Sequence, residues 1–464
     1  MAATGDLKEP AMRTEPRQPV LFEGLFDKTA VVEFTAPDQS SDGGALLLKA
    51  VDERLGLTRR IAEAIHDRRQ TGKVIHGMLP MLRERIYGIA CGYPNGNDAA
   101  RLGADPIFQL ICERREASLP SQPTLSRFEN AVTRTDLLRV AYALTDSVID
   151  QQRRGRKASK VKRIIIDLDP TDDPTHGAQQ LTLFNGFYDT WCYLPMITTF
   201  QIDGEKAQYL VAPVLRPGNA PGSAGAIAIL SRLVVRLRAA FPNAKIIVRA
   251  DGAFAVPELL LWIEKQQMLY VINLPKNRLL EAYADIPMKL ARKKAQRKGR
   301  TCRVWDHTFY QAKTWPAYRR LIIKAEVTVL EGREPRDNPR FLVTNLKGSP
   351  QEIYALYADR GDMENRIKEL KDALRFDLTS CGSFLANQFR NLLTAAAFVL
   401  YQHLRDTACS TDCSDAQVGT LRERLIKVGV TIRESARRIF IEAPRAFMWY
   451  HDWRVLALRL GASP

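Results

Sequence analysis

The chain has 464 residues, 45% apolar residues and a formal net charge of +16. Its length allows about three domains and its apolar fraction allows a sizeable core. No run approaches the ~18 apolar residues of a membrane helix, and the N-terminus lacks the charge and apolar pattern of a signal peptide. The seven cysteines lie singly, without zinc-site spacing, so we expect reduced thiols in a cytoplasmic protein.

The positive charge is concentrated in three segments. Residues 151–163 carry a net +7, residues 276–340 carry +10 and residues 416–464 carry +5, while the rest of the chain is net negative. Basic blocks suit a phosphate backbone, because each neutralised phosphate releases counterions. Solvated surfaces and linkers could carry the same charges, but three blocks of one sign favour a nucleic acid partner.

Residues 1–160 are predicted to form a mostly helical N-terminal domain that binds DNA ends. Residues 1–45 are rich in Pro, Gly and Asp and should be loosely ordered. From Ala45 onward apolar residues recur three and four apart, as in LLLKAVDERLGL. The basic stretch QQRRGRKASKVKR then marks a boundary.

Residues 161–277 predict a mixed α/β sheet flanked by helices. RIIIDLD reads as a buried strand, and antiparallel strands with turns at Asn185-Gly186 and Asp203-Gly204 follow it. A helix over 223–241 precedes the strand AKIIVRAD, the helix VPELLLWIEKQQ and the strand MLYVINL. This order of elements indicates the first part of a catalytic core.

The second half of the chain is predicted in three parts. Residues 278–338 carry the basic run KLARKKAQRKGRTCR and strand-like pieces, which predict a basic, β-rich insertion. Residues 339–406 return to the core with the strand NPRFLVTNL and a long helical region, whose start is marked by Ser349, Pro350 and Glu352. Residues 407–464 form a basic region of helical or mixed structure.

Acidic residues follow two of the predicted strands. Asp167 and Asp169 lie two apart on the first strand and share a face, and Asp251 ends the strand AKIIVRAD. Glu364 lies in the long helical region. Ligand sites in open α/β sheets favour the carboxyl ends of strands, and carboxylates suit Mg²⁺ or Mn²⁺. Taken singly, each of these residues is more often a helix cap or a turn residue.

The helical segment carries Tyr357, Arg360, Glu364 and Lys371 at offsets of three, four and seven. A continuous helix would place all four on one face, and Gly361-Asp362 is a candidate break. A carboxylate between two cations and a phenol would suit a metal-bound DNA strand, whose flanking phosphates need donors. A solvated helix face with a weak ion pair is the alternative.

This Tyr-Arg-Glu-Lys spacing resembles the signature of cut-and-paste DDE transposases that have a β-rich insertion before the glutamate. The segments IDLDPTDDPTHG, FNGFYDTWCYLP, RADGAF, YVINLPKN and ENRIKELK resemble the thirteen-eighty group of insertion sequences. The resemblance runs from about residue 118 to 400. It implies an RNase H-like core and an enzyme that cleaves DNA at element ends and joins them to target DNA.

The resemblance also implies roles for individual residues. Asp169, Asp251 and Glu364 become catalytic ligands of two Mg²⁺ or Mn²⁺ ions; Asp169-Pro170-Thr171 matches the family's Asp-x-Thr pattern, and Asp167 is the alternative first ligand. Trp305 would stack on a flipped base or pack within the insertion. The remaining predicted DNA contacts are Tyr357, Arg360, Lys368, Lys371, Arg292, Lys293, Lys294, Arg297 and Lys298.

The implied partners are double-stranded DNA, as terminal inverted repeats and as target, and a second copy of the chain, because two ends must be paired. One alternative is an inactive relative that binds DNA without cutting, but no carboxylate or basic helix residue has been lost. Another alternative is an RNase H-like nuclease without strand transfer. The separate basic terminal regions favour transposition, because end recognition needs surface that simple hydrolysis does not.

Overall fold

The first part of the chain is mostly helical. The computed structural model describes residues 18–22, 27–33, 35–36, 38–114 and 118–463. The predictions for residues 1–17, among them that no signal peptide is present, concern residues outside these ranges. The first elements are β1 (Val20–Phe22), β2 (Ala30–Val32), β3 (Gln39–Ser40), α1 (Ala45–Leu55), α2 (Leu57–Ala64), α3 (Met78–Cys91), α4 (Ala99–Leu102), α5 (Pro106–Ile111), α6 (Gln122–Asn130) and α7 (Arg134–Arg154).

Local sequence signals determine where these helices begin. At α7, the side chain of Thr133 accepts from the backbone N–H of Asp136, and the carboxylate of Asp136 accepts from that of Thr133. At α5, Asp105 accepts from two backbone N–H groups and Pro106 is the first helical residue. Such residues satisfy donors that the first helical turn leaves unpaired.

The middle of the chain alternates strands and helices. Its elements are β4 (Arg163–Pro170), β5 (Asp173–Pro174), β6 (Leu183–Asn185), β7 (Thr190–Tyr193), β8 (Met196–Ile202), β9 (Tyr209–Leu210), α8 (Ala226–Ala240), β10 (Lys245–Ala250), α9 (Pro257–Lys265) and β11 (Leu269–Leu274). The last part holds α10 (Arg278–Lys298), β12 (Cys302–Tyr310), β13 (Arg319–Thr328), β14 (Arg336–Asp337), β15 (Arg340–Thr344), α11 (Pro350–Ala358), α12 (Gly361–Lys368), α13 (Phe384–Thr407), α14 (Val418–Leu421), β16 (Val430–Glu434), β17 (Ile439–Glu442) and α15 (Tyr450–Arg459).

The central sheet is mixed, as predicted. Its strands lie in the order β12-β13-β15-β11-β10-β4-β8-β9, with β14 added beside β13. β10 is parallel to both β4 and β11, and the other pairs are antiparallel. β4 lies between β10 and β8, and its residues Ile164–Leu168 are all buried. A strand covered on both faces reads as a continuous apolar run, which explains RIIIDLD.

The segment 278–338 differs from the predicted β-rich insertion. Its first 21 residues form α10, which buries Leu280, Ala284, Met288, Ala291 and Ala295 on one side. Its two long strands, β12 and β13, extend the central sheet through β15 rather than forming a sheet of their own. The basic run therefore lies largely on a helix that packs across the end of the central sheet.

A small second sheet extends beyond the end of β4. β5 follows β4 after two residues, and the three strands lie in the order β5-β7-β6. The turn predicted at Asn185-Gly186 connects β6 to β7, and the turn at Asp203-Gly204 lies between β8 and β9. The small sheet therefore projects from the carboxyl end of β4.

The 24-residue helix α13 joins the N-terminal helices to the sheet. It packs against α1, α3, α6, α7 and β9. Every residue from Phe389 to Leu404 is buried, and the hydroxyl of Tyr401 donates to the carbonyl of Ala90 in α3 at 2.8 Å. One continuous apolar core thus includes residues from both the N-terminal helices and the sheet.

The early and late parts of the described chain are paired. β3 pairs with β16, so that Ser40 lies opposite Val430. Gly44 lies so close to the backbone of Leu425 that an added Cβ would meet its carbonyl oxygen at 1.7 Å. Only glycine fits this approach. None of the described helices combines the length and apolar character needed to cross a membrane.

Candidate active site

Two of the predicted ligands end neighbouring parallel strands. In the pairing of β4 with β10, Leu168 lies opposite Ala250, and Asp169 and Asp251 are the next residues on each strand. Asp251 also accepts from the backbone N–H of Ala253 at 2.9 Å, which starts the turn after β10. The two carboxylates therefore lie together at one edge of the sheet.

Asp167 has a different environment from Asp169. It is fully buried, and Arg249, its register partner on β10, donates to both carboxylate oxygens at 2.5 and 2.7 Å. Burial raises the pKa of Asp167, while Arg249 and Arg360 oppose the rise. The third nitrogen of Arg249 donates to the carbonyl of Leu356 in α11 at 2.6 Å. One guanidinium thus links β4, β10 and α11.

Asp169 faces several charged groups. Its side chain is 14% exposed and pairs with Arg360 at 2.8 Å. Its pKa is raised to about 6, mainly by burial and partly by the charges of Asp251 and Glu364, while Arg360 opposes the rise. The three predicted ligands therefore interact electrostatically across one space, with Arg360 as the cation next to them.

The helical segment bends where it passes these carboxylates. α11 ends at Ala358 and α12 begins at Gly361, so the break lies just before the predicted Gly361-Asp362 position. In the turn the N–H of Arg360 donates to Tyr357 at 3.0 Å, and that of Met363 donates to Arg360 at 2.9 Å. Burial also raises the pKa of Tyr357, and the charges of Asp251 and Asp169 add to the rise.

Lys371 reaches the same edge of the sheet from a π-helical turn at Glu369–Ala373. Its ammonium lies 2.8 Å from the carboxylate of Asp172. The neighbouring Asp173 accepts from the hydroxyl of Thr379 at 2.9 Å, and burial raises the pKa of Asp173 to about 7. Asp172 and Asp173 thereby attach the start of the small sheet to the π-helical turn and to the residues after it.

The donors around Asp169 determine whether the site can hold a divalent cation. Across the described residues, no three His, Cys, Asp or Glu side chains form a ready group for a metal ion. The chemistry nevertheless fits a hard cation, because the donors are carboxylates and their repulsion raises the pKa of Asp169. A positive ion among them would relieve that repulsion, as Arg360 does for one of them.

Two residues near the site were not predicted from the sequence. The first is Arg249, whose signal was a lone arginine within the apolar strand AKIIVRA. The second is Tyr188 in the β6–β7 turn, whose pKa is raised to about 12 by burial and by the charges of Asp172, Asp169 and Asp251. Tyr188 lies in the segment FNGFYDTWCYLP, to which no role was assigned.

The remaining predicted contacts lie on β12, α10 and α12. Trp305 packs on Tyr354 with ring centroids 5.0 Å apart, and Tyr354 lies 6.3 Å from Tyr357, so an aromatic row leads from β12 to α11. Arg292 pairs with Asp337 on β14. The other predicted cations are exposed on α10 and α12, and they are Lys293, Lys294, Arg297, Lys298 and Lys368.

Comparison with known protein families identifies the family of this chain. Residues 22–462 match the family described as Transposase DDE domain group 1. The match extends well beyond the segment of about 118–400 in which the resemblance was first seen. None of the curated proteins compared with the chain matches it. Because the match spans nearly the whole chain, the protein belongs to this family of DDE transposases.

Proposed function

We propose that this transposase cleaves DNA at the ends of its element and transfers the cut strands into target DNA. The observation that carries the proposal is the electrostatic coupling of Asp169 with Asp251 and Glu364 beside Arg360. Phosphodiester chemistry needs carboxylates for metal ions and cations for phosphates, and little else from the protein. The thirteen-eighty group stays a prediction, and so does the RNase H-like core, which is consistent with the strand order β9-β8-β4-β10-β11.

Asp169, Asp251 and Glu364 would hold Mg²⁺ or Mn²⁺, with two ions as the expected number. Such ions activate an attacking oxygen and stabilise the leaving one. Asp169 is preferred to Asp167 as first ligand, because both oxygens of Asp167 already accept from Arg249. Asp167 would instead keep the strand rigid beneath the site.

The cations and the phenol would position the DNA. Arg360 pairs with Asp169, Tyr357 precedes it by three residues, and both would contact the phosphates that flank the cut. Lys371, held by Asp172, would contact a phosphate further along the strand. Trp305 would contact a base. Lys368 and the basic face of α10 would contact the duplex further from the cut. The cations of that face are Arg292, Lys293, Lys294, Arg297 and Lys298.

The complete reaction would use two copies of the chain and two DNA ends. The N-terminal helices would supply recognition of the terminal repeats. A second candidate, hydrolysis without joining, needs the same carboxylates, so that only the products separate the two. An inactive relative would bind DNA without cutting it even though every predicted metal ligand is present in the sequence.

The test uses a supercoiled plasmid that carries the element's own ends, with Mg²⁺ or with EDTA. We expect metal-dependent cuts at the ends and joined products. Asp251→Ala and Glu364→Ala should abolish cutting while end binding survives. Glu331→Ala, which removes an exposed carboxylate from the loop after β13, is the matched control and should cut normally.

Three results would contradict the proposal. Cutting that survives both substitutions would place the chemistry elsewhere in the protein. End binding without cutting, in Mg²⁺ and in Mn²⁺, would favour the binding-only relative. Cuts at the ends without any joined product would favour the nuclease.

A further inference from the structure

The β6–β7 hairpin exposes three aromatic rings. Phe184 is 47% exposed, Phe187 is 86% exposed and Trp191 is 56% exposed. Phe184 and Trp191 are cross-strand partners whose ring centroids lie 6.2 Å apart, and Phe187 occupies the turn. We call these three residues the aromatic face. Exposed apolar groups of this size usually mark a binding surface.

The turn that presents Phe187 is held firmly. The side-chain oxygen of Asn185 accepts from the backbone N–H groups of Phe187 and Tyr188 at 3.0 and 3.3 Å. Its amide nitrogen donates to the carbonyl of Gly218 at 2.6 Å. A ring on such a support loses little conformational entropy when it binds a partner.

The end of β7 anchors the hairpin in the protein. Cys192 and Tyr193, which follow Trp191, are buried, the ring of Tyr193 packs on Phe384, and its hydroxyl donates to the carbonyl of Gln180 at 2.7 Å. The aromatic face therefore lies at the turn end of a hairpin whose other end is fixed.

The hairpin lies next to the candidate active site. Phe187 packs edge-on against Tyr188, with centroids 4.9 Å apart. The hydroxyl of Tyr188 in turn lies 3.5 Å from the carbonyl oxygen of Pro170, the residue that follows Asp169. The aromatic face thus begins one ring away from the carboxylates that are proposed to hold the metal ions.

The charge of the hairpin indicates which part of a DNA strand it would contact. No Lys or Arg occurs between residues 172 and 205, and the turn itself carries Asp189. A phosphate would have no cation to pair with on the hairpin, whereas the flat ring of every base can stack on an aromatic side chain. Arg360 and Lys371 supply the phosphate contacts on the neighbouring helical segment.

We propose that the aromatic face stacks on unpaired bases of the DNA end next to the cut, with Phe187 as the leading ring. This inference rests on the proposed function and assigns the hairpin to the bound substrate. The stacked bases would be held out of the duplex on a rigid support, so that the adjoining phosphate reaches the carboxylates in a fixed position.

The test measures stacking without cutting. End DNA carrying 2-aminopurine next to the cleavage position is bound to the Glu364→Ala protein in Mg²⁺, and fluorescence and affinity are recorded. We expect quenching on binding, because stacking quenches this base. Adding Phe187→Ala should abolish most of the quenching and weaken binding about tenfold, within the range for loss of one base–aromatic stack. Phe187→Trp should retain both.

Phe309→Ala is the matched control, because Phe309 is 61% exposed on the distant strand β12. It should quench and bind like the parent. Equal quenching and affinity in Phe187→Ala and the parent would overturn the proposal, even where the plasmid assay shows normal cutting. If Phe187→Ala or Trp191→Ala lowers the mass of the protein's oligomer in DNA-free solution, the proposal is also overturned. That result would assign the aromatic face to self-association.

The two proposals fail in different ways. Loss of quenching in Phe187→Ala with no cutting by the wild type would support the stacking and contradict the transposition chemistry. Failure of every variant to bind end DNA would contradict both, since the protein would then not recognise the substrate.

Discussion

Asp167 and Asp169 share one face of β4 but have different surroundings. Asp167 is enclosed and its charge is matched by Arg249, whereas Asp169 pairs with Arg360 and is subject to the charges of Asp251 and Glu364. The end of the pairing with β10 makes the difference, because Asp169 lies beyond the last paired residues and no residue of β10 faces it as Arg249 faces Asp167. A site that keeps like charges together is expected to reduce stability.

Replacing Asp169 should therefore change how stability depends on pH. The folded protein keeps the proton of Asp169 up to about pH 6, whereas the ordinary pKa is 3.8. The carboxylate therefore lowers stability progressively between these values, and the loss is complete above about pH 6. The free energy of unfolding of Asp169→Asn should therefore increase relative to that of the wild type as pH rises, by about 3 kcal/mol or less at about pH 8.

Urea denaturation at about pH 4.5 and about pH 8 measures this difference. The advantage of Asp169→Asn should be clearly larger at the higher pH. An advantage of the same size at both values would show that the carboxylate is not strained by burial and by its neighbours.

At the scale of elements, three pieces of the site meet at one buried guanidinium. Arg249 on β10 binds the carboxylate of Asp167 on β4 and the carbonyl of Leu356 near the end of α11. The strands carry Asp169 and Asp251, and α11 leads directly to Arg360. The relative position of these groups therefore depends on a contact that no substrate touches.

Removing only the cation of this pair should destabilise the protein more than removing both charges. Arg249→Leu leaves Asp167 buried without a partner, and we expect a loss of about 3–5 kcal/mol in the free energy of unfolding. The double variant Asp167→Leu/Arg249→Leu should recover at least half of that loss, because apolar side chains replace both charges. Urea unfolding of the three proteins gives the comparison, and equal losses in the single and double variants would contradict it.

Local patterns in the sequence predicted most elements around the site. The apolar run before Asp167, the strand before Asp251 and the cap at Ser349 each depend on a few adjacent residues, and the structure has the corresponding strands and helix. The choice between Asp167 and Asp169 could not be made in this way. It depends on Arg249, which is 82 residues away in sequence.

α10 shows a signal that was present but obscured. Leu280, Ala284, Met288, Ala291 and Ala295 recur at helical spacing and are the residues that it buries. The cations between them, and Pro287 within the helix, masked this periodicity. The extension of the central sheet by β12 and β13 left no local signal, because strand pairing over such distances is decided by tertiary contacts.

At the scale of the whole molecule, α13 holds the N-terminal helices and the sheet in one core. Ala395, Ala396 and Ala397 are fully buried at its centre, where small side chains let neighbouring elements approach closely. The predicted division at residue 160 is therefore a division of sequence, since the apolar core continues across it.

A large side chain at this centre should weaken the whole molecule. We expect Ala396→Leu to lower stability by about 1–3 kcal/mol, because the extra atoms would force α13 away from its neighbours. Calorimetry should show one unfolding transition in both proteins, shifted to lower temperature in the variant. Ala282→Leu on the exposed side of α10 is the control and should leave the transition nearly unchanged. Two separated transitions would contradict a shared core.

The position of α13 has a consequence for the order of synthesis. α1, α3 and α7 leave the ribosome early, but the helix that covers their apolar sides begins only at Phe384. Until α13 has been synthesised, the apolar surface of these helices stays exposed and accessible to chaperones and proteases. A translation product that stops after Asp251 or Glu364 would therefore not be a smaller DNA-binding protein that competes for element ends. It would be a chain whose N-terminal helices lack the helix that covers them, and we expect proteases to degrade it.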